Sequence, residues 1–180
     1  MKKLAWTVIA LLLAAFGYIA VIAIPRAAIH VERSAVTTSP DDVGLVFEEF
    51  VVSPQDTDLH LAGWWMPAQN ARATLVFIHG GGSNRTSSYF GSLDFYRAMV
   101  AQGIAMGVID LRNHGASDSD GQGLQFGRTE KYDAAAAIAW ARARNPKLPL
   151  FAMGISMGGA SLIQAVHAGA KLDGLILLDS

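Results

Sequence analysis

Apart from Thr7, the residues from position 4 to position 24 are apolar, behind Lys2 and Lys3 and ahead of Pro25 and Arg26. A helix with no polar face is not a surface helix of a soluble domain. About 21 residues at about 1.5 Å each cover about 30 Å, the thickness of a bilayer core, so this run predicts a membrane-spanning anchor. The alternative is a long cleaved signal peptide, although such peptides have a shorter apolar region and a small-residue cleavage site. Lys2 and Lys3 precede the run, while Arg26 and Arg33 follow it among acidic residues. This bias places the N-terminus on the cytoplasmic side and the rest of the chain outside.

Residues 25–43 mix Pro, Ser, Thr and charges without period and read as a linker. From residue 44 the pattern becomes that of a folded domain. Two short β-rich runs, 45–52 and 59–66, flank the turn residues Ser53, Pro54, Gln55 and Asp56 and predict an antiparallel pair. Apolar strand runs then alternate with helical stretches: strand 74–78, helix 93–101, strand 104–109, helix 130–144, strand 150–155, helix 158–168 and strand 175–178. Nearly continuous apolar strands separated by helices predict an α/β fold, a mostly parallel sheet with helices on both faces. Glu130 and Asp133 open the second of these helices, Arg142 and Arg144 close it, and Pro146 follows, as the helix dipole favours. The organisation expected is thus 1–24 anchor, 25–43 linker and 44–180 domain.

Composition narrows the chemistry. The 180 residues carry a formal net charge of -1 with Lys and Arg scattered singly, which argues against nucleic acid as a partner. There is no cysteine, so disulfides, thiolate metal ligands and a cysteine nucleophile are excluded together. No metal or cofactor is expected.

Three loops that follow predicted strands carry the candidate chemistry. Gly154-Ile155-Ser156-Met157-Gly158 is G-x-S-x-G set between an apolar strand and a helix. In that setting the serine occupies a strained turn that lifts its hydroxyl above the sheet, and the flanking glycines Gly154 and Gly158 remove Cβ atoms that would clash. His79-Gly80-Gly81-Gly82 follows strand 74–78; its glycines let backbone N–H groups approach a substrate oxygen. Gly81 is the preferred donor and Gly82 the alternative. A dinucleotide cradle would need a third glycine where Arg85 stands. Asp110-Leu111-Arg112-Asn113-His114-Gly115-Ala116-Ser117 follows strand 104–109.

Together these loops resemble the α/β-hydrolase superfamily, in particular its serine aminopeptidase-like and monoacylglycerol-lipase-like branch, over about residues 45–180. The resemblance implies a serine hydrolase cleaving an ester, thioester or amide, with a small-molecule ester, lipid or peptide as substrate; the membrane is a second partner through the N-terminal helix. It implies Ser156 as nucleophile, Gly81 and Met157 as oxyanion donors, and His79, Gly80 and Gly82 as loop support. Asp110, Arg112 and His114 are then structural, with a His114 general base as the alternative.

A serine hydroxyl is a weak nucleophile without a histidine base and its carboxylate, which in this superfamily follow the serine in the chain. After Ser156 stand Asp173, Asp179 and one histidine, His167, eleven residues along the helix that begins at the elbow and so about 15 Å away. Acid and base are therefore expected beyond residue 180, with the fold truncated after about its sixth strand and the 180-residue chain inactive by itself. A non-catalytic α/β-hydrolase-like scaffold is the competing reading.

Overall fold

The computed structural model describes residues 2–87 and 90–180. Six strands form one sheet: β1 (Glu48–Val52), β2 (Leu61–Met66), β3 (Ala73–Ile78), β4 (Ile104–Ile109), β5 (Leu150–Ile155) and β6 (Gly174–Leu178), in the order β1-β2-β4-β3-β5-β6. β1 and β2 pair antiparallel, β2 joins β4 antiparallel, and β3, β4, β5 and β6 are mutually parallel along the sheet. This is the mostly parallel α/β sheet expected from the apolar runs.

Alternation along the central strands sorts their side chains onto two cores. Val76 and Ile78 of β3 pack with Ala134, Ala137 and Ile138 of α4 (Glu130–Arg144) and Leu162 and Ala165 of α5 (Met157–His167). Leu75 and Phe77 face the other way, into a cluster with Tyr96 of α3 (Ser92–Ala101). Covering both faces is why β3 is buried at all six positions. β6 differs, because Leu175 to Leu178 are exposed along the sheet edge.

The parallel register aligns the strand ends. Ile78 stands opposite both Ile109 and Gly154, and Ile155 opposite Leu178. The loops that begin at His79, Asp110, Ser156 and Asp179 therefore leave the sheet at the same carboxyl edge, where open α/β sheets bind ligands.

Residues 1–30 form a unit separate from residues 31–180. Its helical course runs through α1 (Lys2–Tyr18), a π-helical turn (Ile19–Ala23) and α2 (Ile24–Ala28). A helix over Lys3–Ala28, with mean hydropathy 2.6, is long and apolar enough to cross a membrane. The helix continues past Pro25, where the sequence suggested it would close. Pro25 sits in the first turn of α2, a position where its missing N–H costs little.

Two boundaries differ from those read in sequence. β1 begins at Glu48 rather than 45, because Leu45 and Phe47 are apolar for packing on the Tyr96 core, not for strand pairing. Residues 31–43, read as part of a linker, are held in place. Arg33 donates to Ser117 O at 2.6 Å, Asn84 Nδ2 donates to Ser34 O and Ala35 O, Val36 packs on the Tyr96 core, and Pro40 is buried at the start of a short 3-10 turn.

Candidate active site

β5 delivers Ser156 at the sheet edge with φ 50 and ψ -119, a conformation that L-residues rarely adopt. Its N–H donates to Leu178 O at 2.8 Å, and its carbonyl accepts Ala160 N at 3.1 Å, so strand and helix both fix the turn. Ser156 is exposed while residues 152–155 and 157–159 around it are buried. The glycines are required by close approach. A Cβ on Gly158 would come within 2.5 Å of His79 O, and one on Gly154 within 2.6 Å of Gly158 C.

The hydroxyl opens into a cavity of about 400 Å³ lined by Gly80, Gly81, Ser83, Ser87, Ile155, Ser156 and Asp179. A Cβ on Gly80 would lie 3.6 Å from Ser156 Cβ, and one on Gly81 3.6 Å from Met157 Sδ, so the 79–82 loop passes directly over the elbow. Met157 is the first residue of α5, where a backbone N–H has no acceptor within the helix. Gly82 N–H donates to His114 Nε2 at 3.0 Å. The Gly81 N–H has no acceptor among the described residues.

Both histidines near the elbow are bound at both ring nitrogens. His79 Nδ1 donates to Gly80 O (2.7 Å) and its Nε2 accepts Leu111 N–H (3.0 Å). Burial, reinforced by His114 nearby, lowers its pKa to about 3. His114 Nδ1 donates to Arg112 O (2.7 Å), and burial lowers its pKa as well. With its Nε2 holding Gly82, His114 has no free nitrogen to take a proton from Ser156. His167 ends α5 and is exposed, about 16 Å along the helix from the elbow. Among the described residues no histidine lines the Ser156 cavity. Asp179 does line it, with φ 50.

The middle loop is built from buried charge. Asp110 accepts Arg85 N–H (2.7 Å) and Ala116 N–H (2.8 Å), so it braces the 79–87 loop against its own turn. Burial raises its pKa, with Arg85 and these N–H groups opposing. Arg112 makes paired hydrogen bonds to Asp56 (2.8 and 2.9 Å) and to Asp133 (2.7 and 2.9 Å), and also approaches Asp120. Burial opposes its charge, but these bonds outweigh that and raise its pKa. Sequence reading identified Asp110, Arg112 and His114 but missed their partners Asp56, Asp120, Asp133 and Arg85. Asp133 was legible only as a dipole residue of α4. Among the described residues no cluster of His, Asp and Glu is suited to a metal ion.

A strained serine at the strand-to-helix turn, on the carboxyl edge of a parallel sheet, defines an α/β hydrolase. The chain belongs to the family described as serine aminopeptidase, S33, which matches residues 69–179. None of the curated proteins compared with it matches. Solved structures share the fold. The Pyrococcus furiosus esterase Pf2001 has a TM-score of 0.70 at 22% identity, covering 81% of this chain and 56% of its own. The α/β hydrolase GrgF from Penicillium sp. sh18 has a TM-score of 0.64 at 21% identity, covering 74% and 45%. A highly thermostable carboxyl esterase from Bacillus coagulans has a TM-score of 0.61 at 22% identity, covering 74% and 44%. The chain thus spans about half the length of these structures.

Proposed function

We propose that the protein hydrolyses small-molecule esters through an acyl-enzyme on Ser156. The observation that carries this is the presentation of Ser156, strained, exposed and facing a cavity beneath the uncommitted Gly81 amide. A domain serving only as a scaffold has no need of a serine held in that conformation.

In the proposed reaction Ser156 Oγ bonds to the ester carbonyl carbon as its proton passes to a general base. The carbonyl oxygen, now negative, accepts hydrogen bonds from Gly81 N–H and Met157 N–H. Donors fixed in place before reaction stabilise such an oxyanion without reorganising. The carbon–oxygen bond to the alcohol breaks, the alcohol leaves with the proton, and water repeats the sequence to release the acid. His79, Gly80 and Gly82 shape the oxyanion loop, Gly154 and Gly158 the elbow, and Asp110, Arg112 and His114 the supporting loop. No histidine among the described residues lines the cavity, whereas Asp179 does, which supports it as a carboxylate that orients the base.

The second reading is a non-catalytic binding domain, favoured by the absence of a histidine from the Ser156 cavity among the described residues. A fluorophosphonate probe separates the two, since only an activated serine attacks phosphorus quickly. Labelling of the native protein that is lost in Ser156→Ala is expected. Equal labelling of both, or of neither, favours the binding domain.

For the anchor we propose that residues 1–24 hold the protein in a membrane with the N-terminus cytoplasmic, and that the unit formed by residues 31–180 lies outside. Its support is the apolar helix and the placement of Lys2 and Lys3.

A further inference from the structure

Gly81 is the middle one of three consecutive glycines, the residues least able to hold a backbone direction by themselves. Its two neighbours are held by hydrogen bonds. The Gly80 carbonyl accepts His79 Nδ1–H, and because a trans peptide is planar with its C=O and N–H opposed, that bond turns the Gly81 N–H away from His79. Gly82 N–H is bound to His114. The side of Gly81 that a side chain would occupy is filled by Leu124, whose Cδ1 and Cδ2 lie 3.2 and 3.4 Å from the place of a Cβ, with Met157 Sδ at 3.6 Å. We propose that Leu124 is a positioning residue of the reaction, seating the Gly81 amide in register with that of Met157. This rests on the reading of Ser156 as the reacting serine and of these two amides as its oxyanion donors.

The loop that carries Leu124 is held on both sides of it. Buried Asn113 donates from Nδ2 to Gly123 O at 3.3 Å, just before Leu124. Buried Glu130 accepts Gln125 N–H at 2.8 Å and Gly127 N–H at 2.9 Å, just after it. Gln164 of α5 donates to Phe126 O at 3.2 Å, and Phe126 is kept at φ 50, a costly conformation for a residue with a side chain. The loop is thus tied to the Asp110 loop, to α4 and to the helix of the elbow. Leu124 itself packs on the core that contains Met157.

Oxyanion donors act by being fixed before charge develops, and a displacement of about 1 Å can cost about a hundredfold in rate. Shortening Leu124 opens a space into which Gly81 can move while both histidine bonds stretch. Substrate binding does not use the Gly81 amide fully until the carbonyl oxygen becomes negative. The loss therefore falls on kcat rather than on KM.

The test compares the full-length protein with Leu124→Ala, Leu124→Met and Leu172→Ala, reading hydrolysis of p-nitrophenyl butyrate and, by NMR, exchange of the Gly82 amide. Leu172 packs on the same core from beyond the end of α5, and so reports what losing a leucine there does by itself. In Leu124→Ala kcat should fall about tenfold or more with KM nearly unchanged. It should recover in Leu124→Met, which refills the volume, and be kept in Leu172→Ala. Gly82 exchange should quicken in Leu124→Ala alone. An unchanged kcat in Leu124→Ala, a loss confined to KM, an equal loss in Leu172→Ala, or no recovery in Leu124→Met overturns the proposal. If the native protein turns over no ester, the hydrolase reading falls, and Gly82 exchange decides whether Leu124 seats the loop: quickened exchange upholds the seat and unchanged exchange overturns it.

Discussion

At the scale of single residues, His79 and His114 show how bonding fixes a protonation state. Each donates from Nδ1 to a carbonyl and accepts a backbone N–H at Nε2. Only the neutral ring with its proton on Nδ1 can do both. Protonating Nε2 would break the accepted bond and place a charge in a buried site, which is why both pKa values are lowered. The consequence for stability has a definite sign. For His79 the folded pKa of about 3 lies below the ordinary 6.5. On acidification the unfolded chain therefore takes up a proton before the native state does. Stability is complete above about pH 6.5 and is lost as the pH falls toward about 3, by up to about 5 kcal/mol. His114 adds to the same slope. Asp110, raised by burial, works in the opposite direction, so the histidine share is best read as a difference. Urea midpoints from pH 8 to pH 4 should fall more steeply for the native protein than for His79→Gln. Parallel profiles would mean that His79 is not held neutral.

Between elements, close approach and buried charge do the joining. α5 meets β3 across Gly158, whose missing Cβ leaves room for the carbonyls of Ile78 and His79. In Gly158→Ala the helix must move away, at a cost of about 1–3 kcal/mol, and the elbow moves with it. Reduced thermal stability together with loss of fluorophosphonate labelling is expected. Arg112 ties the 53–60 connection through Asp56, its own loop through Asp120 and α4 through Asp133. Arg112→Met would strand those carboxylates, costing about 3–5 kcal/mol, measurable as a drop in the denaturant midpoint. These joints also explain what sequence could and could not show. The strands were legible because a parallel strand buried on both faces is an unbroken apolar run, as in β3. The elbow was legible because its glycines and serine are adjacent in the chain. Asp56, Asp120 and Asp133 were not, since they are scattered and each reads like an ordinary surface acid. The early start given to β1 had a different cause, because Leu45 and Phe47 show burial but not what they pack against.

At the scale of the whole molecule, the segment after the apolar helix has two roles that composition alone made look like one. Residues 25–43 are polar, irregular and Pro-containing, the usual signs of a free tether. Yet from Arg33 onward they are bonded to Ser117 and Asn84, and Val36 and Pro40 join the domain's packing. Side chains such as Asn84 that hold this segment lie some 50 residues away, beyond the reach of any local pattern. The place to cut the protein is therefore 31, where the second unit begins, not the domain start read at 44. The full-length protein should pellet with membranes and resist carbonate extraction. A version beginning at Val31 should stay in the supernatant and melt at nearly the same temperature as the detergent-solubilised parent, because every contact just named is retained. A version beginning at Gly44 should also be released. It would lose the packing of Val36 and Pro40, worth about 2 kcal/mol, and so melt several degrees lower. Recovery of the full-length protein in the carbonate supernatant would remove the anchor, and a shortened soluble form in native cells would replace it with a signal peptide. Equal melting temperatures for the versions starting at 31 and 44 would show that residues 31–43 are a tether after all.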